Sequence, residues 1–229
     1  RVSKAPKDEA TAIMQEIYET PVKSELIAQR ISEIKAAGAV VCGSLTPQSV
    51  QQHYEVAVEA GLDILVIQGT VISAEHVSTT VEPLNLKEFI SEVPIPTVVG
   101  GCASYSTGLH LMRTGAVGVL VGVGPGAACT TRGVLGIGVP QATAIADVAA
   151  ARSQHMLETG EYVNVIGDGG MRTGGDISKA IACGADAVMI GSPLARAKEA
   201  PGRGYHWGMA TFHSSLPRGT RVTTVQDGT

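Results

Sequence analysis

The feature that most constrains this chain of 229 residues is an alternation of short apolar runs with segments of helical spacing. The runs occupy residues 39–42, 63–67, 96–99, 117–121, 162–166 and 187–190. Apolar residues recur with helical period over 11–18, 24–37, 47–60, 86–92, 106–114, 140–159 and 175–183. Repeated strand–helix units of roughly thirty residues predict a parallel sheet, either a (β/α)8 barrel or a doubly wound sheet. Two glycine turns, Gly167-Asp-Gly-Gly170 and Gly191-Ser192, follow the last two runs. A phosphate site after the last two strands is a habit of barrels. The expectation is therefore a TIM (β/α)8 barrel whose first two strands precede Arg1, in a chain that starts without Met and reads as a fragment. Residues 1–200 would form the partial catalytic barrel. Residues 201–229, irregular and rich in glycine and ring residues, would form an active-site loop or flap and the start of a C-terminal part.

Chemistry concentrates in Gly122-Val-Gly-Pro-Gly-Ala-Ala-Cys-Thr-Thr-Arg132, which follows a run read as a buried parallel strand. Glycine tolerates positive φ and has no side chain to clash, so such a loop can wrap closely around a ligand or ion. Cys129 would then stand at the mouth of the scaffold, able to act as a nucleophile once its proton is taken. The same spacing suits a phosphate-cradling loop in which Cys129 only fills space. Both readings stand at this point.

Composition narrows the classes. Aromatics are 3% of the chain, so Val, Ile, Leu and Ala must pack the core. A net charge of −4 without a basic stripe gives no electrostatic case for nucleic acid. No apolar run approaches the roughly 18 residues that span a membrane, and no signal peptide opens the chain. The four cysteines, Cys42, Cys102, Cys129 and Cys183, form no CxxC pair, which argues against zinc and suits a reducing cytoplasm. Cys42, Cys102 and Cys183 are expected as small packing residues. Asp168 is either a ligand or the N-cap of the next helix; Asp176 is expected as that N-cap, and Asp186 as the closure of the turn into its strand. His206 and His213 are loop histidines, proton carriers or merely solvated.

Four motifs in order, each at a strand end, resemble the IMP dehydrogenase and GMP reductase family. They are Gly122–Arg132, Gly136-Ile-Gly-Val-Pro-Gln-Ala-Thr-Ala144, Asp168-Gly-Gly-Met-Arg-Thr-Gly-Gly-Asp176 and Gly184-Ala-Asp-Ala-Val-Met-Ile-Gly-Ser192. The chain looks most like the dehydrogenase-related branch of cyanobacteria and actinobacteria that lacks CBS domains. The resemblance implies that Cys129 attacks carbon 2 of the purine, that hydride passes between that carbon and a nicotinamide, and that a covalent thioimidate results. Thr131 matches a hydroxyl that assists proton transfer. Backbone carbonyls of Gly124, Gly126 and Cys129 match a potassium site. Asp168 matches the acceptor for the ribose hydroxyls, and Gly169, Gly170, Gly191 and Ser192 the donors to the 5′-phosphate. Met209 matches a main-chain contact to the purine edge. The partner implied is a purine 5′-monophosphate, with neither nucleic acid nor membrane, in a homotetramer.

Three departures bear on the reaction. Ala127 replaces a phosphate-binding serine, and Gln68 replaces a carboxylate on the nicotinamide side. Only six residues separate Met209 from Leu216, where ordinary dehydrogenases carry a long mobile flap. Arg218 stands where the reductase places a glutamate, so Arg218, or His213 beside it, is the expected activator of water. The resulting expectation is oxidation of IMP to XMP with NAD in guanine nucleotide biosynthesis, NADP being the alternative cofactor. GMP reductase, converting GMP to IMP and ammonia with NADPH, is the runner-up. A non-catalytic purine-nucleotide-binding barrel and an FMN-dependent barrel enzyme are the rivals from other classes.

Overall fold

The computed structural model describes residues 1–69, 84–207 and 221–223. After a short 3-10 turn at Val2–Lys4 come α1 (Ala10–Tyr18), α2 (Ser24–Ala36), β1 (Cys42–Leu45), α3 (Val50–Glu59) and β2 (Ile64–Gln68). Then follow α4 (Leu86–Glu92), β3 (Thr97–Cys102), α5 (Tyr105–Met112), β4 (Gly118–Val121), α6 (Thr131–Leu135) and α7 (Gln141–Thr159). The described chain ends with β5 (Asn164–Asp168), α8 (Gly174–Ala182), β6 (Ala187–Met189), α9 (Ser192–Ala195), β7 (Tyr205–His206) and β8 (Val222–Thr223). Strands β1 to β6 make one sheet in chain order, every neighbouring pair parallel. Parallel neighbours cannot be joined by a tight turn, which is why each crossover carries a helix.

Alternation along the strands divides the sheet into two faces. Leu65, Ile67, Val99, Val119, Val121 and Val165 pack with helix residues such as Leu111, Ile145 and Val148 in the main core. Ile64, Val66, Val98, Leu120 and Ile166 form a second cluster on the opposite face. A curled sheet has this arrangement, helices outside and a filled lumen inside. Each aliphatic side chain buried this way contributes about 1.5–3 kcal/mol. Strands β1 and β6 do not pair with each other, so the sheet is open along that side. A closed eight-stranded barrel would place two further strands in the gap. The fold is the expected (β/α)8 barrel, seen as six of its strands.

The N-terminal rim is stitched by one device used twice. Gly61 and Gly184 take φ of +95° and +107°, turning the chain after α3 and α8. Two residues later an aspartate reaches the preceding strand: Val41 N–H donates to Asp63 Oδ2 at 2.8 Å, and Val165 N–H to Asp186 Oδ2 at 2.7 Å. Lys35 pairs with Asp63, and Arg152 with Asp186, at 2.9 and 2.7 Å. Asp186 thus closes the turn into β6, as expected, and ties it to β5.

Several boundaries differ from the sequence reading. The first strand begins at Cys42, where the run 39–42 was expected to end. The reason is local: Val41 N–H is engaged by Asp63 and Val40 is 70% exposed, so pairing with β2 starts at Cys42. Cys42 opens β1, the strand beside the gap in the sheet. Helix α3 starts at Val50, because residues 47–49 form a turn closed by Thr46 and Ser49. Asp176 is not the N-cap of α8. Thr173 is, and Asp176 answers it from the third helical position as a capping box. Strand β3 runs on through Gly100 and Gly101 to Cys102.

Candidate active site

The lumen face carries Ile64, Val66 and then Gln68 along β2, and Ile166 and then Asp168 along β5. Gln68 and Asp168 therefore emerge at the C-terminal rim of the same face. In a flat sheet three strand spacings would hold β2 and β5 about 14 Å apart. Here the Gln68 Nε2 amide donates to Asp168 Oδ2 at 2.9 Å, so the curl of the sheet brings them together across the lumen. Ser44 on β1 donates to Gln68 Oε1 at 3.3 Å. Burial pushes the Asp168 carboxyl above the usual range, and the Gln68 hydrogen bond acts against that rise. Asp168 ends β5 and caps no helix, which removes its N-cap reading.

The cysteine loop is fitted to this rim by glycines. Gly122 holds φ at +145°, and a Cβ there would lie 2.6 Å from the Asp168 carbonyl oxygen. Gly169 and Gly170 both take positive φ and lie against Pro125, a Cβ on Gly170 meeting Pro125 Cβ at 3.1 Å. Gly122, Pro125 and Gly126 of the cysteine loop therefore pack against the Asp168-Gly169-Gly170 turn. Gln141, opening α7, reaches across with Nε2 to the Val121 carbonyl at 2.6 Å and the Asp168 carbonyl at 3.4 Å. Arg132 bridges the loop, donating to the carbonyls of Val123 at 3.0 Å and Val139 at 2.7 Å.

Cys129 is exposed at this mouth, and its thiol donates to Thr131 Oγ1 at 3.2 Å. The hydroxyl is thus placed to relay the proton a nucleophilic sulfur must lose toward solvent, taking it while giving up its own. Cys102 shows the contrast: buried at the end of β3 against the Leu120 carbonyl, its thiol is pushed up to about 12. A cavity of about 180 Å³ adjoins the loop between Gly101–Ser104 and Val123 with Val139.

Strand β6 runs beside β5, so Gly191 and Ser192 fall next to the glycine turn. The Gly169 N–H is taken by the Met189 carbonyl at 3.1 Å, which leaves Gly170, Gly191 and Ser192 as the anion donors of the expected set. The Gly126 carbonyl accepts the Cys129 N–H at 3.0 Å within the loop. Among the described residues no group of three His, Cys, Asp or Glu side chains could hold a metal, so a cation at this loop would rest on backbone carbonyls, a donor set suited to a hard ion. His206 lies on β7, and burial holds its imidazole below the ordinary value. Met209, His213 and Arg218 lie outside the described residues. Gln141 and Arg132 stand within the motifs, and their roles come from the fold. A side-chain bond to a distant carbonyl leaves no local sequence signal.

Comparison with known proteins shows the family. The family model described as IMP dehydrogenase / GMP reductase domain matches residues 13–219. An uncharacterised oxidoreductase of Mycobacterium tuberculosis is 51% identical over 212 residues, covering 92% of this chain and 56% of that protein. An inosine-5′-monophosphate dehydrogenase of Haemophilus influenzae is 44% identical over 153 residues, 66% of this chain and 29% of that protein. The crystal structure of an IMP dehydrogenase/GMP reductase-like protein from Corynebacterium glutamicum superposes with a TM-score of 0.86 at 48% identity, over 96% of this chain and 57% of that one. The chain thus spans about half the length of the curated relatives it matches most fully. No helix among the described residues is long and apolar enough to cross a membrane.

Proposed function

Because the chain belongs to the IMP dehydrogenase / GMP reductase family, we propose that it is the core of an oxidoreductase that converts IMP to XMP through a thioimidate on Cys129. One observation carries this reading. The Cys129–Thr131 pair stands on a glycine loop packed against the Asp168-Gly169-Gly170 turn, so nucleophile, proton acceptor, sugar acceptor and phosphate donors share one rim. Asp168 holds the ribose, while Gly170, Gly191 and Ser192 receive the 5′-phosphate without a cationic side chain. Cys129 sulfur bonds to carbon 2 of the purine and its proton leaves by way of Thr131. NAD supplies the acceptor for the hydride that carbon 2 releases. Water then cleaves the carbon–sulfur bond, returning the thiol and giving XMP; in balance, IMP, NAD⁺ and water give XMP, NADH and a proton.

Potassium at the carbonyls of Gly124, Gly126 and Cys129 would fix the loop that presents the sulfur. The water-activating residue is proposed as Arg218, and Met209 as the purine-edge contact. A homotetramer follows from the family premise, and the exposed Val134, Leu135 and Ile137 beside the cysteine loop supply an apolar face for it. Free cysteines suit a cytoplasmic setting. GMP reduction with NADPH is the second reading, favoured by the six residues between Met209 and Leu216.

The test is nicotinamide absorbance of the full-length protein with IMP plus NAD⁺ and with GMP plus NADPH, with Cys129→Ala in parallel. A signal from IMP that disappears in the variant supports the dehydrogenase. A signal only from GMP selects the reductase. Nucleotide binding without either signal leaves a binding barrel.

A further inference from the structure

Gln68 is the one polar side chain from another strand that reaches the Asp168 carboxylate among the described residues. It is itself held: the Ser44 hydroxyl donates to its Oε1, which directs Nε2 toward the acceptor-only carboxylate. We propose that Gln68 is a positioning residue, whose amide fixes the Asp168 carboxylate through Oδ2 and presents Oδ1 to a sugar hydroxyl of a ribonucleotide. The inference rests on the ribose-binding role proposed above for Asp168.

The physical argument has two parts. A carboxylate already fixed in one orientation avoids the ordering cost that a mobile one incurs on binding. An N–H donor also favours the ionised form, which alone offers both oxygens as acceptors. Among the described residues, the surroundings leave this task to Gln68. There the other neighbours, Ser44 of β1, Gln141 of α7 and Met189 of β6, are neutral. Arg132 is committed to the Val123 and Val139 carbonyls, and Arg172 is exposed. Burial and the Gln68 bond are what act on the Asp168 carboxyl. A carboxylate in place of Gln68 would face Asp168 with like charge, so a chain with an acid here cannot hold its ribose acceptor in this way.

Two variants of the full-length protein test this. Gln68→Met keeps length and volume but has no N–H; Gln68→Glu donates only while protonated. In each, the Asp168 carboxyl is titrated by carbon NMR without ligand, and IMP affinity is measured by calorimetry between pH 5 and 8. In Gln68→Met the carboxyl should titrate at higher pH and IMP affinity should fall about tenfold near neutrality. The loss should fall more on IMP affinity than on turnover at saturation, since what is removed is the positioning of a binding group. Gln68→Glu should bind nearly as wild type at the acid end and weaken as pH rises. An unmoved Asp168 titration in Gln68→Met overturns the proposal, as does an affinity loss that is the same at every pH. If wild-type protein binds no purine nucleotide, the proposed function falls, while the ligand-free titration still decides whether Gln68 governs Asp168.

Discussion

Gly122 and Asp168 meet backbone to backbone, and a Cβ on Gly122 would stand 2.6 Å from the Asp168 carbonyl oxygen. This contact joins the loop that carries Cys129 to the turn that ends β5. Gly122→Ala combines a positive φ with an overlap against main chain, which cannot swing aside. It should cost about 2–4 kcal/mol, read as a drop in urea midpoint, and lower turnover about 100-fold through misplacement of the sulfur. Gly133→Ala is the control: nothing lies within 4 Å of its Cβ position in α6, so stability should hold or rise by up to about 1 kcal/mol.

Arg132 bonds two carbonyls, of Val123 and Val139, that lie on opposite arms of the cysteine loop. Arg132→Lys keeps the charge but loses the planar fork that reaches both. Turnover should fall about tenfold, while the rate of Cys129 alkylation by iodoacetamide rises as the loop loosens. Equal alkylation rates in the two proteins would show that the bridge does not restrain the loop.

Acid should lower stability through the opposite rim. Burial alone would raise the Asp186 carboxyl, yet the Tyr162 hydroxyl, the Val165 amide and Arg152 together hold it below the usual range. The Val165-type bond from Val41, with Lys35, lowers Asp63 likewise. A carboxyl depressed in the folded state contributes stability that is present above its unfolded value near pH 4, and that is lost as pH falls through the folded value. Asp186→Asn should be less stable by about 1–3 kcal/mol at pH 7 and lose less than wild type below about pH 4. Urea midpoints at pH 7 and pH 3 check both signs.

The element pattern was legible because the central strands β2, β3 and β4 are apolar runs buried on both faces, and such runs need no context to be recognised. Strand β1 was misplaced for the opposite reason. Its Cys-Gly-Ser-Leu sequence has little apolar character, and its start is set by the Asp63 carboxylate, 22 positions beyond Val41. In the site, Cys129 and Thr131 are neighbours in sequence and could be paired on paper. Gln68 and Asp168 are 100 positions apart, and only the curl of the sheet joins them. Gln68 was visible as a departure from the family pattern, but its partner was not. Thr173 takes the cap expected of Asp176 because a capping box places an acid three positions inside the helix, where spacing alone cannot tell cap from answer.

At the end of the described chain, His206 pairs with Val222, and the Arg221 guanidinium lies 3.9 Å over the Tyr205 ring while donating to the Val2 and Ala5 carbonyls. The stretch between Trp207 and Arg221, which carries Met209 and Arg218, therefore starts and finishes at one clasped point on the N-terminal segment. For a chain whose ends are already held together, each doubling of length adds only about 0.6 kcal/mol of closure entropy. Insertions and deletions in that stretch are thus nearly neutral for the barrel, so its length can change while the sheet beneath keeps its registers.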